Sequence, residues 1–92
     1  LDLEGYRVVI DGEPVALTSR ETALLGALVE AGGRVLSKED ILDRVWGRGS
    51  EVTTSAVDSH IKRLRRKLGS AGNHLHTVRG VGYSLSETQH SL

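Results

Sequence analysis

A chain of 92 residues suffices for one compact domain that buries roughly 60 to 70% of its unfolded surface, and is too short for two independent cores. Hydrophobic residues at 38% and charged residues at 26% exclude a disordered chain, and the absence of cysteine excludes disulfides, thiolate zinc sites and cysteine nucleophiles. Lys and Arg total 12 against 12 Asp and Glu, so the net charge alone says nothing of partners until the charges are located along the chain.

The stretch "YRVVIDGEPVALT" sets Asp11-Gly12 between two β-rich runs, the pattern of a hairpin, and with "LDLE" before it predicts a small antiparallel sheet. Thr18 stands three residues before Glu21 in a capping-box arrangement, and "ALLGALVEA" stops at Gly32-Gly33, which encloses a first helix. Ser37 with Asp40 and then Gly47 enclose a second, whose apolar side is Ile41, Leu42, Val45 and Trp46. The longest run without a polar side chain, Ala23 to Val29, is far short of the eighteen or so residues of a membrane span, and no apolar signal peptide opens the chain.

A third helix, about residues 55–68, lies in "VDSHIKRLRRKLG", with Ser55 and Asp58 as its start signal and Gly69 as its stop. Val57, Ile61, Leu64 and Leu68 recur at helical spacing as the buried stripe. Ser55, Ser59, Lys62 and Arg66 project from the opposite side, with Arg63 beside them and His60 and Arg65 on the flanks. After a Gly- and Ser-rich loop, "HTVRGVGYSL" predicts strand, tight turn and strand over about 76–85, with Arg79 at the turn. Residues 1–85 thus form one domain and "SETQHSL", 86–92, a tail. The order of small sheet, three helices and hairpin is an α+β architecture.

The charges are strongly segregated. From Thr54 to Arg79 there are six basic residues (Lys62, Arg63, Arg65, Arg66, Lys67, Arg79) and one acid, Asp58. A one-signed cluster of this density costs stability unless a polyanion compensates it, and a helix anchored by one stripe with its other face basic suits the DNA major groove. A solvated face is the ordinary alternative for any single charged helix; the hairpin with Arg79 at its tip, directly following, favours a groove-reading surface. A membrane-surface or calmodulin-target helix lacks its aromatic anchors here. "GVG" at Gly80 to Gly82 is turn chemistry rather than a dinucleotide site, His74 and His76 lack a third metal ligand, and Glu39, Asp40 and Asp43 sit where a helix start favours carboxylates. No nucleophile, base and orienter assemble, so no enzyme, cofactor or metal site is predicted.

"RVLSKEDILDRVWG", "VDSHIKRLRRKLG" and "TVRGVGYSL", in this order and spacing, resemble the C-terminal winged helix-turn-helix effector domain of OmpR/PhoB-type response regulators. The resemblance implies sequence-specific binding of double-stranded DNA by a transcription regulator, with the third helix in the major groove and the hairpin wing at the minor groove. It implies Arg63 as base reader, His60, Lys62 and Arg65 on phosphates, and Thr77 and Arg79 on the wing; the helix face itself adds Ser59 and Arg66. It further implies direct-repeat half-sites, a head-to-tail dimer on DNA, an RNA polymerase contact from the loop between the second and third helices, and a cytoplasmic two-component system. The chain begins at Leu1 without Met, as an excised domain would, with an upstream receiver as the usual partner in the family. The rival readings are a winged helix that docks an acidic protein and a DNA-binding module fused to another sensor or enzyme domain.

Overall fold

The computed structural model describes residues 2–4, 7–10 and 12–86; Asp11 of the expected turn and residues 87–92 of the expected tail lie outside them. Strands β1 (Asp2–Glu4), β2 (Arg7–Ile10) and β3 (Glu13–Ala16) form the expected antiparallel sheet in the order β1-β2-β3. Ile10 pairs with Glu13, which leaves a two-residue connection, and Pro14 falls on an outer strand where its missing N–H is tolerated.

Helix α1 (Ser19–Glu30) opens with the predicted capping box: Glu21 N–H donates to Thr18 Oγ1 at 3.1 Å, and Thr18 N–H donates to Glu21 Oε1 at 2.9 Å. Two of the helix's orphan donors are thereby satisfied. Leu24, Leu25 and Leu28 are fully buried and make α1 the central helix of the core. Helix α2 (Lys38–Val45) starts from Ser37, whose Oγ accepts from Asp40 N–H at 3.0 Å, and Ile41 is its fully buried residue. Its C-terminal carbonyl at Val45 accepts from Arg20 Nη1 at 2.7 Å, so a cation from α1 meets the negative end of α2.

Helix α3 (Thr54–Leu68) begins one residue earlier than predicted, and Thr53 rather than Ser55 is its N-cap. The Thr53 side chain makes no capping bond; the Thr53 and Ser55 hydroxyls bond to each other at 2.7 Å, and Asp58 is drawn elsewhere by Tyr83 and Lys38. A 3-10 segment, Gly69–His74, replaces the expected irregular loop. The hairpin follows as β5 (Leu75–Val78) and β6 (Gly82–Leu85). A short strand that sequence patterning did not predict, β4 (Leu36–Ser37), adds to it in the order β4-β6-β5.

Two glycines make that sheet possible. Gly80, at φ 79°, takes the left-handed position in the turn that Val81 N–H closes onto Val78 O at 3.0 Å. Gly82 pairs with Ser37, and a Cβ there would run into the Leu36 carbonyl, so only glycine lets β4 and β6 come together. One core joins α1, Ile41 of α2, the α3 stripe and Leu36, Leu75, Tyr83 and Leu85 of the sheet. This is the predicted α+β winged helix-turn-helix, with α3 and the hairpin side by side.

Candidate nucleic-acid interface

The α3 stripe is buried as predicted: Val57 and Leu64 are wholly inaccessible, and Ile61 and Leu68 nearly so. Helical geometry then obliges the other face outward. Ser59, Lys62, Arg63 and Arg66 are exposed, and among the described residues none of the three cations is engaged by an acid or an acceptor. At the wing, Arg79 is exposed in the turn and Thr77 is exposed on β5.

The cluster is less uniformly uncompensated than the sequence implies. Lys67 Nζ donates to Glu21 Oε1 at 2.7 Å, the same oxygen that takes Thr18 N–H, and the Glu21 side chain is only 4% exposed. Burial pushes the Glu21 carboxyl up, but the Lys67 bond and the Thr18 amide outweigh it and hold it below its ordinary range. Arg65, half-buried, donates through Nη2 to Leu75 O at 2.9 Å and to Thr77 Oγ1 at 3.0 Å. Of the five cations from Lys62 to Lys67, Lys67 is paired with an acid, Lys62, Arg63 and Arg66 have no partner among the described residues, and Arg65, bonded only to neutral acceptors through Nη2, keeps its charge.

His60 is half-buried on the flank of α3. Its Nδ1 lies 2.9 Å from Ala56 O, and because a carbonyl only accepts, Nδ1 carries the proton and Nε2 is the free ring nitrogen. The ring meets Trp46 edge-on, with centroids 5.0 Å apart and planes at 85°, while the Arg20 guanidinium lies 5.1 Å from the Trp46 centroid. Trp46 is thus held between α1 and α3 at the core's margin. A concave pocket of about 410 Å³ opens beside this stack, lined by Thr18, Glu21, His60, Arg63, Arg66 and Lys67.

Asp58, the lone acid of the basic segment, is a structural joint. Its carboxylate accepts from the Tyr83 hydroxyl of β6 and from Lys38 Nζ, the latter at 3.1 Å. The Tyr83 bond, with Lys38 in support, holds the Asp58 carboxyl below its ordinary range against the opposing effect of burial. Burial first, and then the same bond, push the Tyr83 phenol up to about 12. Glu21, Lys38, Tyr83 and Arg20 were not singled out from the sequence as supports of this surface, since each reaches its partner only through the fold. Among the described residues no group of three His, Cys, Asp or Glu is placed to hold a metal ion, and no helix is long and apolar enough to cross a membrane.

Comparison with known proteins agrees with this fold. A family described as "Transcriptional regulatory protein, C terminal" matches residues 12–85. Response regulator ArlR of Staphylococcus saprophyticus is 45% identical over 85 residues, which cover 90% of this chain and 39% of the relative. The chain thus spans about two fifths of the length of that curated relative. Among solved structures, the DNA-binding domain of response regulator AdeR in complex with an intercistronic region superposes with a TM-score of 0.78 at 28% identity, covering 96% of this chain and 93% of that one. The Klebsiella pneumoniae RstA DNA-binding domain in complex with the RstA box gives 0.75 at 29% identity, covering 87% and 82%.

Proposed function

Because the chain belongs to the family of transcriptional regulatory protein C-terminal domains, we propose that it is the sequence-specific, double-stranded DNA-binding module of a transcription regulator, with α3 in the major groove and the β5–β6 wing at the minor groove. The observation that carries this reading is the outward face of α3. Lys62, Arg63 and Arg66 stand there without partners among the described residues while the opposite stripe is locked into the core. An uncompensated cationic face on a rigid helix matches the width and charge of the major groove. The two related domains solved in complex with an intercistronic region and with the RstA box support DNA as the partner.

In this reading Arg63 offers two parallel donors to guanine O6 and N7, and Lys62 and Arg66 hold phosphates on either side. Ser59 and His60 face the backbone from the N-terminal half of the helix, His60 through Nε2. Arg79 enters the minor groove from the wing turn, with Thr77 at the wing's base. The regulator as a whole is read as a cytoplasmic response regulator of a two-component system, with domains paired head to tail on direct-repeat half-sites and residues 47–53 facing RNA polymerase. Residues 1–85 are the folding unit of this module.

A binding-site selection from a randomised duplex library, followed by anisotropy titration of the winning duplex across a salt series, tests the proposal. One motif should emerge, and log K should fall with log salt at a slope of roughly −3 to −4, as expected when Lys62, Arg63, Arg66 and Arg79 meet the duplex. No enrichment, or no binding at low salt, would sink it, and tight binding to an acidic protein surface in place of duplexes would transfer the basic face to a protein partner.

A further inference from the structure

We infer that Arg65 is the positioning residue of the wing: by fastening β5 to α3 it sets where Arg79 meets the minor groove, and so governs the flank preference of DNA binding. The inference rests on the reading of the hairpin as a minor-groove element. It departs from the phosphate contact that family resemblance implies for this position.

The observation is the double engagement of one nitrogen. Arg65 Nη2 carries two hydrogens and spends them on Leu75 O at 2.9 Å and Thr77 Oγ1 at 3.0 Å. β5 is the outer strand of the β4-β6-β5 sheet, so alternate backbone groups along its outer edge have no ladder partner. Leu75 is 3% exposed, and a carbonyl shut away from water at such a place must find a donor within the protein. Arg65 supplies it. The guanidinium is planar and cannot swivel its donors independently, so two acceptors on alternate residues of β5 fix the strand's direction as well as its distance from α3.

The other strand of the hairpin is fastened separately. Tyr83 of β6 donates its hydroxyl to Asp58, which lies two helical turns before Arg65 and therefore on the same side of α3. Two fastenings, one per strand, remove both the sliding and the rocking of the hairpin against the helix. Arg79 lies two residues beyond Thr77, in the turn that closes the hairpin. A small rotation at the base is thus delivered to the guanidinium that enters the groove. Loss of the Arg65 fastening leaves β5 held by its pairing with β6 and by Leu75 in the core, with the charge at the tip unchanged but its direction no longer set from α3.

The test uses the chain with duplexes that keep the selected major-groove sequence and carry either AATT or GCGC where the wing lies. Wild type should prefer the AATT flank, whose narrow groove concentrates negative potential, and Arg79→Ala should abolish that preference. Arg65→Lys keeps the charge but not the planar fork. It should bring the ratio of the two affinities to within about twofold of unity, while the major-groove base preference persists and the salt slope stays within about half a unit of wild type. Thr77→Val, which removes one acceptor and no charge, should shift the ratio in the same direction by less. Adding Arg79→Ala to Arg65→Lys should change the ratio no further.

A wild-type flank ratio in both Arg65→Lys and Thr77→Val overturns the inference, and does so even if Arg65→Ala fails to fold. So does an Arg65→Ala variant that folds, keeps its flank ratio and merely lowers the salt slope by about one unit on every duplex, the behaviour of a phosphate anchor. A wild type without flank preference overturns it through its premise. A wild type that binds no duplex at all breaks the reading of the domain instead, which separates the two failures.

Discussion

Lys67 and Glu21 are joined at 2.7 Å across 46 positions of sequence, and the bond pairs the last cation of the basic cluster with a carboxylate of α1. Glu21 is almost wholly buried, so its charge depends on Lys67 and on the Thr18 amide; Lys67 is 40% exposed and reaches in from the margin of the pocket. The pair ties the start of α1 to the end of α3 and so helps fix how the basic face of α3 sits on the core.

Lys67→Met should therefore act on stability and hardly on DNA. The loss of a charge-assisted bond to a buried carboxylate costs about 2 kcal/mol, which a shift of the urea midpoint at constant slope would reveal. The salt dependence of DNA binding should remain that of the wild type, because the Lys67 charge is already compensated within the protein. A salt slope reduced by about one unit would instead place Lys67 on a phosphate.

The pH dependence of stability follows from three groups, with signs fixed by their shifts. Glu21 and Asp58 are both held below their ordinary range, so each contributes stability that is present above its unfolded pKa and is lost as pH falls through the lower folded value. Tyr83 is raised to about 12; its contribution is intact below the unfolded value near about 10 and is lost as pH rises through the folded one. Tyr83→Phe removes the largest cause of the Asp58 shift. It should lower stability at neutral pH by about 1 kcal/mol and flatten the acid limb. Urea unfolding from about pH 3 to 7 would measure both, and an unchanged acid limb would deny Asp58 its role as a joint.

Gly82→Ala and Gly80→Ala test the wing's construction by contrast. At Gly82 the new methyl meets the Leu36 carbonyl, which is backbone and cannot rotate away, so β4 must part from β6 at a cost of about 3 kcal/mol. At Gly80 nothing lies within 4 Å, and only the positive φ is strained, for about 1 to 2 kcal/mol. Thermal unfolding of the two variants should rank them in that order. Equal losses would mean that the β4–β6 contact is not held by the absence of a side chain.

The legible part of this fold was local. The Thr18–Glu21 capping box, the Ser37 cap and the stripe of Val57, Ile61, Leu64 and Leu68 depend on residues three to eleven apart, and each stands in the structure as the spacing predicts. Strand β4 has two residues and no alternation to display; only its pairing with Gly82 makes it a strand. The N-cap of α3 was misplaced because Ser55 and Asp58 match a start signal by type, while Tyr83 and Lys38, 25 and 20 positions from Asp58, offer it better partners than a helix amide. The candidate interface divides in the same way. The helix wheel gave the outward direction of Lys62, Arg63 and Arg66, but that Arg65 and Lys67 also bond within the protein depends on Leu75, Thr77 and Glu21, which only the folded chain brings to them.

The sharpest distinction on the exposed face is between Arg63 and Lys62, which neighbour each other on α3 and are both without internal partners among the described residues. A guanidinium can place two parallel N–H groups on guanine O6 and N7, and no other base pair presents that pair of acceptors in the same geometry. An ammonium on a flexible stem is a point charge, suited to a phosphate whose position varies little with sequence. Arg63→Ala should thus cost about 1 to 3 kcal/mol on the selected site and flatten discrimination at one base position, with a smaller loss on unrelated duplexes. Lys62→Ala should weaken all duplexes by similar factors and reduce the salt slope by about one unit. Repeating the site selection with each variant separates them. If Arg63→Ala returns the wild-type motif at every position and only binds more weakly, Arg63 is an anchor like its neighbour, and sequence must be read from another part of the surface.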